Sequence, residues 1–294
     1  MNAAKSGVQN APILKLPVEI IKQILEKLNP IELAIRKVSR SFEVLLDKLP
    51  CQIRKLVLWV SEDFPTIIVN DDYEIKHETE NCAKNVMQKF SGILQIPNLE
   101  FESLEIFLWD EETRDMYFKL LLKYFKSRTD RIYVKTCVFG ELKVSQIALI
   151  LPFYQAGTLE EIHFANNGET DDLEQIVHLK QWKRAKRFVG SGDLEAYSIT
   201  IQHLFHFVRF EVHIDRFSIE DAVSIRDKLL KSASFENCTL YFPQTDYLEI
   251  TKIFGPMYTG SIGGTINFKA EKTWSYSLKF GPTFIQITRI ESQS

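Results

Sequence analysis

The sequence predicts an α/β protein in two parts: a short three-helix segment, then a stack of strand–helix units closed by an antiparallel meander. Three observations predict it. Apolar residues recur at helical spacing between Leu16 and Leu49. Short alternating apolar segments then return roughly every 24–28 residues up to about residue 255, each followed by a helical pattern. From Gly260 onward the helical spacing stops, and three alternating segments are separated by turn residues.

Composition sets the outer limits. The chain has 294 residues, 45% hydrophobic and 26% charged, enough for a small domain plus a large one with a substantial core. A net charge of −3 gives no whole-molecule attraction to nucleic acid or an anionic membrane. Cys51, Cys82, Cys137 and Cys238 lie far apart, without the paired spacing of a disulfide framework or zinc ribbon. They read as small apolar residues in a reducing compartment. The first residues lack an apolar leader, and no apolar run reaches membrane-spanning length. The expectation is a soluble protein of the cytoplasm, the nucleus or both.

Residues 1–13 are small and polar and are expected to be disordered. In the next segment Leu16, Ile20, Ile24, Leu25 and Leu28 line one helical face, and Pro17 suits a first turn. Asn29-Pro30 breaks that helix. A second helix follows around Ile31–Val38, and Ser39 is positioned to cap a third around Arg40–Lys48. About 34 residues are too few to bury all three apolar faces among themselves, so the segment must lend a face to something else.

In the larger part, Ile53, Leu56, Val57, Leu58 and Trp59 read as a buried strand. Thr66–Val69 and Tyr73–His77 form a hairpin about Asn70, Asp71 and Asp72, residue types that tolerate the positive φ of a tight turn. A helix over 80–94 comes next. Strands are expected at 103–109, 131–138, 160–165, 186–189, 209–214 and 237–242. Helices are expected at 115–125, 144–154, from Thr170, 197–205, 219–231 and 246–254. One inward row is Ile106, Val134, Ile162, Phe188, Val212 and Leu240, with separations of 28, 28, 26, 24 and 28 residues. This spacing is that of an irregular leucine-rich-repeat-like β/α stack over about 100–255, in which stacking buries faces no single unit could bury. The regular Leu-x-x-Leu-x-Leu-x-x-Asn signature is missing, so a plain three-layer α/β domain remains an alternative. Strands at 265–269, 274–280 and 284–290 make a C-terminal β cap over 260–291.

The N-terminal segment resembles a known family. Leu16-Pro17, Glu19-Ile20, Ile24-Leu25, Leu28, Leu33, Arg36, Val38-Ser39-Arg40, Phe42 and Leu45 look like an F-box over 14–50, with Phe42 where many members carry Trp. The resemblance implies docking onto a Skp-type adaptor, and through it a cullin, by Leu16, Pro17, Ile20, Ile24, Leu28, Leu33, Val38, Ser39 and Phe42. Residues 51–294 are similar to the FTH domain of the nematode-expanded F-box A family. The likeness lies in the hairpin, the Leu104-Glu105-Ile106 strand, the aromatic helix after it and Arg209-Phe210-Glu211-Val212. This implies a non-enzymatic substrate adaptor of an SCF-type ubiquitin ligase.

If the inward row is buried, its strand neighbours face outward. Two outward rows follow: Glu105, Tyr133, Glu161, Arg187, Glu211, Thr239, and Phe107, Lys135, His163, Val189, His213, Tyr241. Aromatics among mixed charges suit an interface, so Phe107, Tyr133, Lys135, His163, Arg187, His213 and Tyr241 are the candidate target-binding residues, unless the hairpin or the meander folds over them. No catalytic, cofactor or metal site is expected. His203, His206 and His213 lack a local acidic or Cys partner. Gly190-Ser191-Gly192 has Glu195 where a dinucleotide loop needs its third glycine, and Asn237-Cys238-Thr239 is a sequon within a predicted buried strand. The basic run Lys180–Arg187 reads as a solvated helix face anchored by Trp182. Nucleic acid is not expected as a partner, but an RNA-associated regulator using that run is the alternative function.

Overall fold

The computed structural model describes residues 16–17, 19–20, 23, 51–61, 65–71, 73–76, 82–165, 172–191, 196–243, 247–255, 264–270 and 274–290. All structural statements concern these residues. Twelve strands form one sheet: β1 (Cys51–Val60), β2 (Thr66–Val69), β3 (Tyr73–Lys76), β4 (Leu99–Leu108), β5 (Tyr133–Gly140), β6 (Glu161–Ala165), β7 (Arg187–Ser191), β8 (Arg209–His213), β9 (Asn237–Tyr241), β10 (Thr265–Ala270), β11 (Trp274–Gly281) and β12 (Phe284–Ile290). The helices are α1 (Cys82–Leu94), α2 (Arg114–Lys126), α3 (Val144–Ile150), α4 (Lys180–Arg184), α5 (Ile219–Asp227) and α6 (Tyr247–Phe254).

The strand order is β3-β2-β1-β4-β5-β6-β7-β8-β9-β12-β11-β10. From β1 through β4 to β9 each strand lies parallel to its neighbour. Each crossover therefore advances by one strand, and the connections pack on one face. An antiparallel hairpin extends the sheet at one edge and an antiparallel meander at the other. Neither folds over the open face. Asn70 and Asp71 have φ of 56° and 65°, the left-handed conformation the turn chemistry predicts.

All six residues of the expected inward row are buried, but they do not form one row. Val134 pairs with Phe101, and the partner of Ile106 is Phe139. The true inner rows are Leu104-Cys137-Ile162-Phe188-Phe210-Cys238 and Ile106-Phe139-Phe164-Gly190-Val212-Leu240. The six residues stand at three heights of the parallel ladder, and the entrances of β7, β8 and β9 each carry a doubled hydrogen bond. The N–H groups of Lys186 and Arg187 both donate to Glu160 O, at 2.8 and 3.0 Å. Val208 and Arg209 both donate to Lys186 O, and Glu236 and Asn237 both donate to Val208 O. Each pair takes up one extra residue, as a bulge does, and breaks the in–out alternation. Buried residues therefore stand three apart, as in Leu159/Ile162, Ala185/Phe188, Phe207/Phe210 and Phe235/Cys238.

The connections are shorter in helix than the sequence suggests. The expected helix from Thr170 is a 3-10 turn at Leu173–Gln175, then α4; the one near 197–205 is a 3-10 turn at Ile201–Leu204. Tyr197 and Ser198 instead make isolated parallel bridges to Ile214 and Asp172. So thin a layer reaches the sheet with large side chains. Trp182 lies 4.8 Å from Phe188 and 5.0 Å from Phe207 between ring centroids, and its Nε1 donates to His203 O at 3.3 Å. Gly190 belongs to this packing, because a Cβ there would lie 2.9 Å from the Tyr197 ring. It is an inner-row residue, not part of a phosphate loop. At the far edge Arg289 ties the meander down: its guanidinium lies 4.1 Å from the Trp274 ring and donates to the carbonyls of Ser232 and Ala233.

Two outcomes follow for the core. Ile162→Asp places an unpaired carboxylate at a fully buried position and should abolish the cooperative thermal transition, read by circular dichroism. A retained transition near the parent's would contradict the inner rows. Burial pushes the Cys137 and Cys238 thiols far up, so neither should react with a thiol reagent until the chain is unfolded.

Candidate protein-binding face

The open face is built by residues opposite the inner rows. At the amino ends of the strands lies Ser103-Thr136-Glu161-Arg187-Arg209-Asn237, and in the middle Val57-Glu105-Val138-His163-Val189-Glu211-Thr239. Toward the carboxyl ends, Trp59-Phe107-Gly140-Ala165-Ser191 run from one side and His213-Tyr241-Phe284 from the other. Among the described residues no element covers this face.

Of the seven expected target-binding residues, none is buried. The structure does not assemble them as two rows, however. Tyr133 pairs with Glu100 at the amino end of β5, and Phe107 pairs with Gly140 at the other end. The break in alternation inside β5 separates Tyr133 and Lys135 from Phe107. His163 shares its row with Glu105 and Glu211, and Arg187 shares its row with Glu161. His213 and Tyr241 are neighbours, their rings stacked at 4.4 Å.

Paired charges hold the middle of the face. His163 Nε2 and Arg187 Nη1 both reach Glu161 Oε2, at 3.2 and 3.4 Å. Lys55 lies 3.3 Å from Glu105 and 3.5 Å from Asp71, while Tyr241 Oη donates to Glu211 at 3.4 Å. Burial lowers the pKa of His163, against the opposing pull of Glu161 and Glu105. Burial likewise lowers that of His206, whose Nε2–H donates to Trp182 O at 2.8 Å. His203 faces Glu174 at 3.3 Å. These histidines thus serve packing and pairing, and among the described residues no three His, Cys, Asp or Glu side chains group as metal ligands do.

The basic run is divided by the fold. Lys180–Arg184 form α4, with Trp182 buried, whereas Lys186 and Arg187 stand at and in β7, paired with Glu160 and Glu161. No single helical face carries all five cations.

The sequence reading missed one feature. Trp59, expected in the interior, is 38% exposed on the open face. Its ring lies 5.1 Å from Phe107 and 5.4 Å from Trp109. Phe107 lies flat over Gly140, where a Cβ would come within 2.1 Å of the ring. The sequence signal was parity: Trp59 pairs with Phe107, and Trp109 is two residues beyond Phe107 on the same side.

Of the expected Skp-docking residues, Leu16 and Ile20 are 39% and 41% exposed, and Pro17 is exposed too. Ile20 N–H donates to Pro17 O at 3.0 Å, and residues 19, 20 and 23 are helical. Ile24, Leu28, Leu33, Val38, Ser39 and Phe42 lie outside the described residues, as does most of the expected three-helix segment.

Comparison with known proteins defines the class. The family model for the F-box domain matches residues 13–54, and that for the FTH domain matches residues 115–257. The chain belongs to the F-box/FTH proteins. Among curated proteins it is similar to F-box A protein 224 of Caenorhabditis elegans, 23% identical over 269 residues that cover 82% of this chain and 69% of that protein. No solved structure matches it.

The face yields a pH expectation. His163 has a folded-state pKa below its unfolded value of about 6.5, so its contribution to stability is full above that value and is lost as pH falls through the folded pKa. Acidification from neutral toward about pH 5 should therefore lower the melting temperature less in His163→Gln than in the parent. An identical acid slope would show that His163 is not held neutral by the fold.

Proposed function

We propose that this chain is a non-enzymatic substrate-recognition adaptor of an SCF-type, cullin-based ubiquitin ligase. The F-box, residues 14–50, docks a Skp-type adaptor, and the remainder, 51–294, captures a protein target on its open sheet face. The observation that carries this reading is the F-box match over residues 13–54, a span that includes the exposed Leu16, Pro17 and Ile20. Transfer chemistry belongs to the other ligase subunits. This chain contributes proximity, raising the target's effective concentration beside them.

The stepwise parallel order supports a leucine-rich-repeat-like stack, an architecture whose uncovered sheet face suits protein capture. Phe107, Tyr133, Lys135, His163, Arg187, His213 and Tyr241 remain the proposed target contacts, now as four separate neighbourhoods. The RNA-regulator alternative loses its main support, since the basic run is split and partly ion-paired. A cytoplasmic or nuclear site of action is part of the proposal.

Burying a large aliphatic side chain is worth about 1.5–3 kcal/mol, so Leu16→Ala with Ile20→Ala should weaken Skp binding by roughly two orders of magnitude or more. Co-purification of the double variant at the parent's level would overturn the docking assignment. Phe107→Ala with Tyr133→Ala should abolish target capture while leaving Skp binding intact. A large fall in melting temperature in that variant would mean the rings serve the fold instead.

A further inference from the structure

The carboxyl-end corner of the open face combines a cluster of three partly exposed aromatic rings with carboxylates in the turn that follows it. Trp59, Phe107 and Trp109 form a continuous ring surface, with interplanar angles of 37°, 32° and 6°. Trp59 is the most exposed of the three, and Phe107 and Trp109 are partly exposed beside it. Phe107 cannot swing down, because it already lies on Gly140.

Glu105 lies two residues before Phe107 on the same strand, and Asp110, Glu111 and Glu112 follow Trp109 in the turn that leads to α2. Glu111 and Glu112 are exposed. Asp110 is committed to that turn, accepting from the N–H groups of Glu112 and Thr113. Among the described residues, Lys55 and Arg114 of this region are both engaged. Lys55 is paired with Glu105 and Asp71. Arg114 donates to Leu108 O at 3.0 Å and lies 3.5 Å from Glu141.

We propose that this corner is the recognition point for a basic target segment, with an arginine side chain stacked on the Trp59–Trp109 surface and its charge met by Glu111 and Glu112. The inference rests on the adaptor reading and gives its target a chemistry. An acidic segment would be repelled by the carboxylates. A purely apolar one would strip them of water without return. A lysine satisfies the charge but presents a compact, strongly hydrated ammonium, whereas a guanidinium is planar, weakly hydrated and suited to both ring face and carboxylate.

The test uses the full chain and fluorescently labelled peptides of alternating Gly and Arg, Gly and Lys, Gly and citrulline, and Gly and Glu, read by anisotropy. The Arg peptide should bind, the Lys peptide about tenfold more weakly, and the citrulline and Glu peptides not measurably. Trp59→Ala should weaken the Arg peptide roughly tenfold and remove its advantage over the Lys peptide. Glu111→Gln with Glu112→Gln, at two exposed positions where folding is not at stake, should weaken it and flatten its salt dependence. Equal affinity for the Arg and Lys peptides, an unchanged affinity in the Glu111/Glu112 variant, or no binding of the Arg peptide would each overturn the proposal. Skp co-purification from the same preparation separates the two readings. If docking through Leu16 and Ile20 holds while the peptides fail, only the arginine site falls; if docking fails, the adaptor reading falls whatever the peptides do.

Discussion

The doubled hydrogen bond at the entrances of β7, β8 and β9 is the constraint on which the register of this sheet depends. A strand in a one-sided sheet has a period of two, so a connection arriving from the helical side would reach the sheet on whichever face parity dictates. One extra residue, taken up where two N–H groups share the carbonyl of Glu160, Lys186 or Val208, resets that parity. It lets Leu159, Ala185, Phe207 and Phe235 seal the bottom of the core while Ile162, Phe188, Phe210 and Cys238 fill its middle. Because the device recurs at the same height, successive units stay aligned although their lengths differ.

That device also explains what was legible in the sequence. The Asn70-Asp71 hairpin, the strand positions and the meander are encoded by residue type and local period, and they appear where expected. Row membership is not encoded that way. The height at which a strand enters the ladder leaves no residue-type signature, and strict alternation carried Val134 into the row of Ile106 and Tyr133 into the neighbourhood of Phe107. The apolar pairs three apart, such as Phe207/Phe210, were the available trace of the bulge. For the face, His213 and Tyr241 were legible as neighbours because β8 and β9 enter in step. Trp59 was misread because a tryptophan amid Leu56, Val57 and Leu58 looks like core. The expected docking residues rest on family resemblance alone, since a short amphipathic helix does not name its partner.

The thin helical layer has its own logic. Where a connection has only a 3-10 turn, as at Ile201–Leu204, few backbone turns are present to cover the sheet. Tyr154, Trp182, Phe188 and Phe207 span the gap instead, which accounts for an interior rich in rings. Such a core leaves the open face free of packing duties. The paired charges along Glu161, Arg187 and Glu105 can then be arranged for recognition as much as for stability.

The position of β12 bears on how the chain is made. In sequence it follows β10 and β11, yet in space it lies between β11 and β9, and Arg289 hooks it to the segment that leads into β9. During synthesis β9 therefore emerges with one row of backbone groups unmatched, and it stays so until residues beyond Phe284 leave the ribosome. A nascent or prematurely ended chain presents a parallel sheet with a raw, growing edge, the kind of template onto which other strands add. The meander is thus the closing stitch of this sheet, set only after every strand it covers has been made.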